Sequence, residues 1–289
     1  MKVQIKELAI PTPNGYSLSA SVFFSKNDIG QTLVISSATG VLQRYYSKFA
    51  SFFAAQGFTV YTFDYQGIGK SGASTARLKK HSEDLKSWGK IDQATVVAFA
   101  KKEKPGTLLT LVAHSIGGQL IGFNPNHYLL DKVVMVASQG GYWKNFKGVH
   151  LLKMWLLWYV IIPGLTPLYG FFPSKKLGLF ENLPKNMVYE WAKWGKEKEY
   201  MMHFYDKEDY YFDTVKVAML SWSFPHDSFA PKKTVDWMTD QYRGAQVKRV
   251  HYIPEKGTKQ VRHFGFFKLA FKEPLWQQTL QWVLNDNLR

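Results

Sequence analysis

Leu108-Leu109-Thr110-Leu111-Val112-Ala113-His114-Ser115-Ile116-Gly117-Gly118 is the stretch that decides the fold of this chain. Its first half is a run of β-forming apolar residues, the pattern of a strand buried on both faces. Its second half brackets a serine with small residues, Ala113 two positions before and Gly117 two positions after. Helix-compatible Gly118-Gln119-Leu120-Ile121 follows. A serine on a tight strand-to-helix turn has its oxygen lifted clear of the sheet. That turn crowds the positions two residues to either side, so both must be small. The pattern is a relaxed G-x-S-x-G with Ala113 at the first small position, and it makes Ser115 a candidate nucleophile.

Outward from this stretch, apolar runs alternate with helical spacing. Residues 3–10 and 16–24 read as a hairpin about Asn14-Gly15. Residues 32–36, 58–63, 108–114 and 131–136 read as buried strands. Helices are expected over 43–56, where Tyr46, Phe49, Ala50 and Phe53 share a face, and over 82–101. After a change of character at 141–215, strands recur at 217–224 and 249–253, with helices at 232–242 and 275–284. Strand–helix alternation of this kind predicts an α/β fold, a mostly parallel central sheet with helices on both faces. The glycine-rich loop Asp64-Tyr65-Gln66-Gly67-Ile68-Gly69-Lys70-Ser71-Gly72 lacks both the P-loop spacing and G-x-G-x-x-G, so it reads as structural.

The expected organisation is a core of residues 1–140 and 216–289 with residues 141–215 inserted. The insertion holds 19 of the 47 Phe, Trp and Tyr in about a quarter of the chain. Such a concentration above a candidate serine predicts a helical lid roofing an apolar pocket, with Trp191, Trp194 and Tyr200 among its aromatics. Its apolar helix, residues 151–162, is interrupted by Lys153 and followed by Pro163-Gly164. It reads as too short to span a membrane.

The chain has 37 Lys and Arg against 22 Asp and Glu, a net charge of +15. The lysines are scattered, and no nucleic-acid-binding signature accompanies them, so nucleic acid is not an expected partner. The charge leaves weak association with an anionic membrane surface open. The absence of cysteine removes disulfides, thiolate metal sites and a cysteine nucleophile. The N-terminal Met1-Lys2-Val3-Gln4-Ile5-Lys6-Glu7 lacks the apolar core of a signal peptide, which makes a cytoplasmic location the expectation.

A serine hydroxyl needs a histidine base, and the resulting imidazolium needs a carboxylate. Of eight histidines, His263 alone lies in a loop after the final strand. Asp227 follows the strand before it, in Pro225-His226-Asp227-Ser228. The chain order is then Ser115, Asp227, His263, each at a strand end. A developing oxyanion also needs two N–H donors. Ile116, after the serine, supplies one. Val41, in the turn Thr39-Gly40-Val41, is the expected second.

The chain resembles the α/β-hydrolases, in the bacterial predicted-hydrolase group near the serine aminopeptidase and lysophospholipase-like branch. The resemblance rests on Ala38-Thr39-Gly40-Val41, on the loop from Asp64 to Ser71, and on His114-Ser115-Ile116-Gly117-Gly118. Phe172-Pro173, Leu183-Pro184, Trp191-Ala192-Lys193-Trp194 and His263-Phe264-Gly265-Phe266-Phe267 extend it over nearly the whole chain. Gln66 stands where the group usually carries arginine, and His226 where a second acid often precedes the triad acid. The resemblance implies a serine hydrolase and leaves the substrate open. The combined expectation is a hydrolase of small-molecule esters with an apolar acyl or aromatic part, with no cofactor and no metal. Acyl transfer or peptide cleavage on the same residues, and a non-catalytic ligand-binding protein on this scaffold, are the alternatives. The oligomeric state is left open.

Overall fold

In the computed structural model, which describes residues 2–72 and 74–285, each apolar run becomes a strand. β1 (Gln4–Pro11) and β2 (Ser17–Phe24) pair antiparallel with Leu8 opposite Ala20. Gly15 turns the chain between them at φ +80°. β3 (Gln31–Ser36), β4 (Thr59–Phe63), β5 (Leu108–His114), β6 (Lys132–Val136), β7 (Ala218–Ser223) and β8 (Gln246–His251) follow. They form one sheet of order β1-β2-β4-β3-β5-β6-β7-β8. β2 meets β4 antiparallel, and every pair from β4 to β8 is parallel. The expected core limits include residues 1, 73 and 286–289, which lie outside the described residues.

Alternation along the strands divides the core in two. Val34, Tyr61, Leu111, Ala113 and Met135 face one side, and Leu33, Ile35, Val60, Val112 and Val134 the other. Both sets are buried, which is why these strands read as continuous apolar runs. The helices α1 (Ser47–Ala55), α2 (Thr75–Lys80), α3 (Ala94–Glu103) and α4 (Ile116–Leu120) come before β6. α1 and the last helix cover the second face, where Phe49 meets Trp276 edge-on at 5.4 Å between centroids. α3 covers the first with Val96, Val97 and Ala100.

The helix expected over 82–101 begins late. Residues 84–87 are held by side chains instead: the Glu190 carboxylate accepts from the amides of Leu85 and Lys86, and Asp84 accepts from the Ser87 hydroxyl at 2.7 Å. Such side-chain acceptors compete with helix formation. A wide turn at Trp88–Gln93 then leads into α3. The glycine-rich loop is wrapped around a buried carboxylate. Asp64 accepts from the amides of Gln43 at 2.7 Å and Lys70 at 3.2 Å, and burial pushes its carboxyl up.

Between β6 and β7 the chain is helical. α5 (Gly148–Tyr169) runs for 22 residues, and it is the one helix among the described residues long and apolar enough to cross a membrane by length and composition. It is thus longer than the sequence reading allowed. A π-helical turn at Leu157–Ile161 widens the backbone just before Pro163, and the helix continues to Gly170, whose φ of +75° ends it. α6 (Lys185–Lys196) packs across α5, with Trp158 edge-on to Trp191. Trp194 and Tyr200 are fully buried, and Trp194 stacks on Phe123. These two aromatics complete the core instead of lining an open pocket. α7 (Lys232–Asp240) and α8 (Gln277–Leu284) close the fold.

Candidate active site

β5 delivers His114 to the sheet edge, and the chain then turns sharply. Ser115 adopts φ +53° and ψ −116°, a region that L residues rarely occupy, and α4 starts at the next residue. Its amide donates to the Val136 carbonyl at 2.9 Å, which pins the turn to β6. The small neighbours are needed for clearance. A Cβ on Gly117 would come within 2.6 Å of the Ser36 carbonyl oxygen of β3.

Two further strand ends converge on this serine. The loop after β7 brings Asp227, and the loop after β8 brings His263. His263 Nε2 lies 3.0 Å from Ser115 Oγ, and His263 Nδ1 lies 3.0 Å from Asp227 Oδ2. The carboxylate can only accept, so Nδ1–H donates to it and Nε2 is left to accept the serine proton. Asp227 Oδ1 accepts from the amides of Phe229 at 2.9 Å and Ala230 at 2.8 Å, which fixes the carboxylate plane. Each residue of the set is 5% exposed, so bulk water reaches none of them freely. The rings of Phe229, Phe264 and His114 surround the imidazole, with centroids 4.8 to 5.2 Å away. His226 and Arg262, each immediately before a member of the set, also have positive φ of 57° and 52°.

Beneath the site runs a buried polar chain. The Ala38 amide donates to Tyr46 Oη at 2.8 Å, and Tyr46 Oη lies 2.9 Å from His114 Nδ1. His114 Nε2 lies 3.0 Å from the His263 carbonyl and must donate to it, so Nδ1 accepts the tyrosine proton. Burial, and next the His263 imidazole beside it, hold the His114 pKa well below its ordinary value. His114 therefore stays neutral and ties the turn after β3 to the loop of His263. Tyr45 donates to the Phe264 carbonyl in the same loop. Gln139, in the loop after β6, is another neighbour: its Oε1 lies 3.4 Å from Ser115 Oγ, and its carbonyl accepts from Gln119 Nε2 at 2.7 Å. Ala38 and His114 lie in the motifs quoted above without a role assigned to them, Tyr46 shows only the helical spacing of a core residue, and no motif marks Tyr45 or Gln139.

The turn after β3 differs from expectation in one atom. Val41 N–H donates to the Ala38 carbonyl at 3.0 Å and closes the turn, so it is not free to bind an oxyanion. The amides of Thr39 and Gly40 make no hydrogen bond among the described residues, and Thr39 Oγ1 is buried without a partner. Ile116, as the first helical residue, has no intrahelical acceptor for its N–H. The segment after α5 lies on this turn. Glu181 N–H donates to the Gly40 carbonyl at 3.0 Å, and Phe180 covers Gly40 so closely that a Cβ there would lie 2.8 Å from its ring. A cavity of about 730 Å³ opens alongside, walled by Val41, Leu42, Leu179, Phe180, Phe229 and Phe264. No cluster of three or more histidine or carboxylate side chains able to hold a metal ion occurs among the described residues.

A family model described as serine aminopeptidase, S33, matches residues 30–165. No curated protein matches the sequence significantly. Among solved structures, a thermostable carboxyl esterase from Bacillus coagulans superposes with a TM-score of 0.69 at 14% identity, covering 96% of this chain and 97% of its own. A Pyrococcus furiosus esterase reaches 0.61 at 12% identity, over 97% and 90% of the two chains. A Xanthomonas campestris α/β serine hydrolase described as lacking a lid reaches 0.55 at 13%, over 98% and 97%. At such identities the structures speak for the fold, and the family model adds a sequence likeness over a segment that includes the Ser115 turn. The chain has the α/β-hydrolase fold, and its residues 30–165, which include Ser115, are similar to the serine aminopeptidase, S33, family.

Proposed function

We propose that the protein hydrolyses a small carboxylic ester with an apolar acyl or aromatic part, using Ser115 as nucleophile, His263 as base and Asp227 as its orienting carboxylate. The observation that carries this reading is the unbroken contact from Ser115 Oγ through His263 to Asp227, 3.0 Å at each step. Ser115 Oγ attacks the carbonyl carbon as its proton passes to His263 Nε2. The imidazolium, held by Asp227, then returns that proton to the departing alkoxide, leaving an acyl-serine. Water, deprotonated by the same nitrogen, releases the acid. For the oxyanion we assign the N–H of Ile116 and, in place of Val41, the free N–H of Thr39 in the same turn. The scheme needs no cofactor and no metal.

The apolar preference is supported by the cavity beside the turn, where Val41, Leu42, Leu179, Phe180, Phe229 and Phe264 make up half of the lining, with Arg44, Lys175 and Glu181 among the rest. Residues 141–215 are read as a lid inserted between core segments 1–140 and 216–289, with its 175–181 stretch forming one wall of that cavity. The lack of cysteine suits a reducing, cytoplasmic setting. Peptide cleavage is the second reading, favoured by the family description. An aminopeptidase needs a free carboxylate to hold the substrate ammonium. Glu181 borders the cavity, but Lys175 pairs with it at 2.6 Å, which favours the ester. A fluorophosphonate should label Ser115, and Ser115→Ala should abolish labelling. A label on another serine would refute the nucleophile. Across p-nitrophenyl esters, kcat/KM should rise about fourfold per methylene while the cavity fills, from about 0.8 kcal/mol per buried CH₂. A flat series would refute the apolar preference, and faster turnover of aminoacyl amides would favour the peptidase.

A further inference from the structure

α5 is apolar nearly all round, yet it is buried along one stripe only. Met154, Trp158, Ile162 and Thr166, spaced four apart, face the protein and are at most 7% exposed. The other faces carry Val149, Leu152, Trp155, Tyr159, Val160 and Leu168, exposed by 37 to 78%. Lys153 is the helix's single charged residue. The loop beyond continues the surface with Leu177 and Leu179, 41% and 48% exposed. A continuous apolar surface of this kind calls for an occupant.

The charge around the patch points to what covers it. Residues 141–200 contain nine lysines and four glutamates, a net charge of +5. Lys144 and Lys147 lie before the helix, and Lys175 and Lys176 lie after it. Their ammonium groups take up positions beside aromatic rings: Lys144 is 5.3 Å from the Trp143 centroid, Lys176 4.7 Å from Tyr169, and Lys196 4.8 Å from Tyr159. Trp155 and Tyr159 stack with centroids 5.7 Å apart on the exposed side. Amphipathic aromatic rings beside lysines suit the boundary between headgroups and acyl chains. Although α5 is long enough to span a bilayer, its buried stripe holds it flat against the domain. Trp158 Nε1 donates to the Gly141 carbonyl at 3.2 Å, and Gly195 of α6 leaves room for that indole. A helix fixed in this way lies in the plane of an interface.

We propose that α5 and the loop carrying Leu177 and Leu179 form a docking face for an anionic lipid bilayer, entered by the exposed apolar side chains and ringed by lysine. The loop also walls the cavity beside the turn after β3, so docking would bring that entrance to the lipid surface. The proposal rests on the hydrolase reading only for this last consequence, since binding itself involves none of Ser115, His263 or Asp227.

The test therefore uses the full-length Ser115→Ala protein, so that lipid turnover plays no part. Its partitioning is measured by co-sedimentation with phosphatidylglycerol–phosphatidylcholine vesicles and with phosphatidylcholine vesicles alone. The expected result is at least tenfold stronger binding to the anionic vesicles, weakened in high salt, with a blue shift of tryptophan emission. In an otherwise wild-type chain, Leu152→Glu with Leu168→Glu should keep the thermal midpoint and turnover of a soluble short-chain ester. Placed in the Ser115→Ala protein, the pair should lower anionic-vesicle binding at least tenfold. Unchanged binding in that variant, or no preference for anionic lipid, overturns the proposal. A concentration-dependent dimer that the double substitution dissolves, without vesicle binding, also overturns it and assigns the face to a second copy of the chain. Absence of esterase activity from the wild-type chain, with binding to anionic vesicles present, would refute the hydrolase reading alone.

Discussion

Replacing Tyr46 by Phe removes a single oxygen that two buried groups depend on. The Ala38 amide loses its acceptor at 2.8 Å and His114 Nδ1 loses its donor at 2.9 Å. Ala38 is 2% exposed and His114 is 0% exposed, so neither group can turn to bulk water. Each buried polar group left without a partner costs about 1–3 kcal/mol. Phenylalanine is easier to bury than tyrosine and offsets part of the loss, which leaves an expected destabilisation of about 2–4 kcal/mol. That is a large share of a typical stability of about 5–15 kcal/mol. Urea unfolding should show a lower midpoint with an unchanged slope. Tyr45→Phe is the control: it removes one bond, to the Phe264 carbonyl, at a half-buried site, and should cost about 1 kcal/mol or less. The Tyr46 variant should also lose kcat more than it gains KM, because the Ala38 tether positions the turn that bears Thr39. A loss below about 0.5 kcal/mol, or one no greater than for Tyr45→Phe, would refute the reasoning, since it would mean the two groups find other partners.

Two further outcomes are expected. Asp227→Asn should lower turnover about 10⁴-fold while the fold stays intact, because an amide oxygen can still accept from Phe229 and Ala230 but leaves the imidazole without its carboxylate; near-normal kcat, with loss instead on substituting Asp206, Asp209 or Asp213, would assign the acid elsewhere. Asp92, buried and pushed up to about 7 first by burial, binds a proton in the folded state between its unfolded value of 3.8 and about 7, so its contribution to stability falls as pH rises through that window. His114 acts in the opposite sense. It stays neutral when folded and takes a proton near 6.5 when unfolded, so stability falls as pH drops below about 6.5. Asp92→Asn should remove the first limb and keep the second, raising stability at pH 8 relative to pH 5; urea midpoints that shift equally at both pH values would refute the assignment.

The core was legible because its strands are buried on both faces and carry an apolar residue at almost every position, a signal that needs no partner to interpret. The convergence of Asp227 and His263 on Ser115 was legible for another reason: Asp227 follows the buried strand β7 and His263 the half-exposed edge strand β8, and parallel strands bring their ends to a single sheet edge. The late start of α3 was not legible, because the acceptor that holds Leu85 and Lys86 out of a helix is Glu190, about a hundred residues away. Two aromatics of residues 141–215 point inward, against the expectation of a pocket lining. Composition records that Trp194 and Tyr200 are present but not that they face Phe123 and the core, while α5, with hardly a polar residue to mark its sides, has no periodicity that could reveal an exposed face.

Val41 shows where local reading stops. Which amide of a tight turn stays free depends on the turn's own hydrogen bond. Here Gly40, at φ +65°, directs Val41 N–H back to Ala38 and leaves the amide of Thr39 unpaired. The same holds for the strained backbone of the site. Ser115, His226 and Arg262 all have positive φ, yet none is glycine or asparagine, the residues whose presence would signal that conformation. Their own propensities oppose it, so the surrounding structure must impose it: the Val136 carbonyl holds Ser115, and the amides of Phe229 and Ala230 hold the loop that begins at His226. Strain of this kind persists only where the rest of the fold over-determines the position. Of the five non-glycine residues with positive φ among those described, Ala137 and Tyr200 lie elsewhere, and the other three are the serine and the residue immediately before each of its partners. A rule of local preference broken three times around one histidine is itself an argument that these loops are shaped by what they position rather than by how they fold.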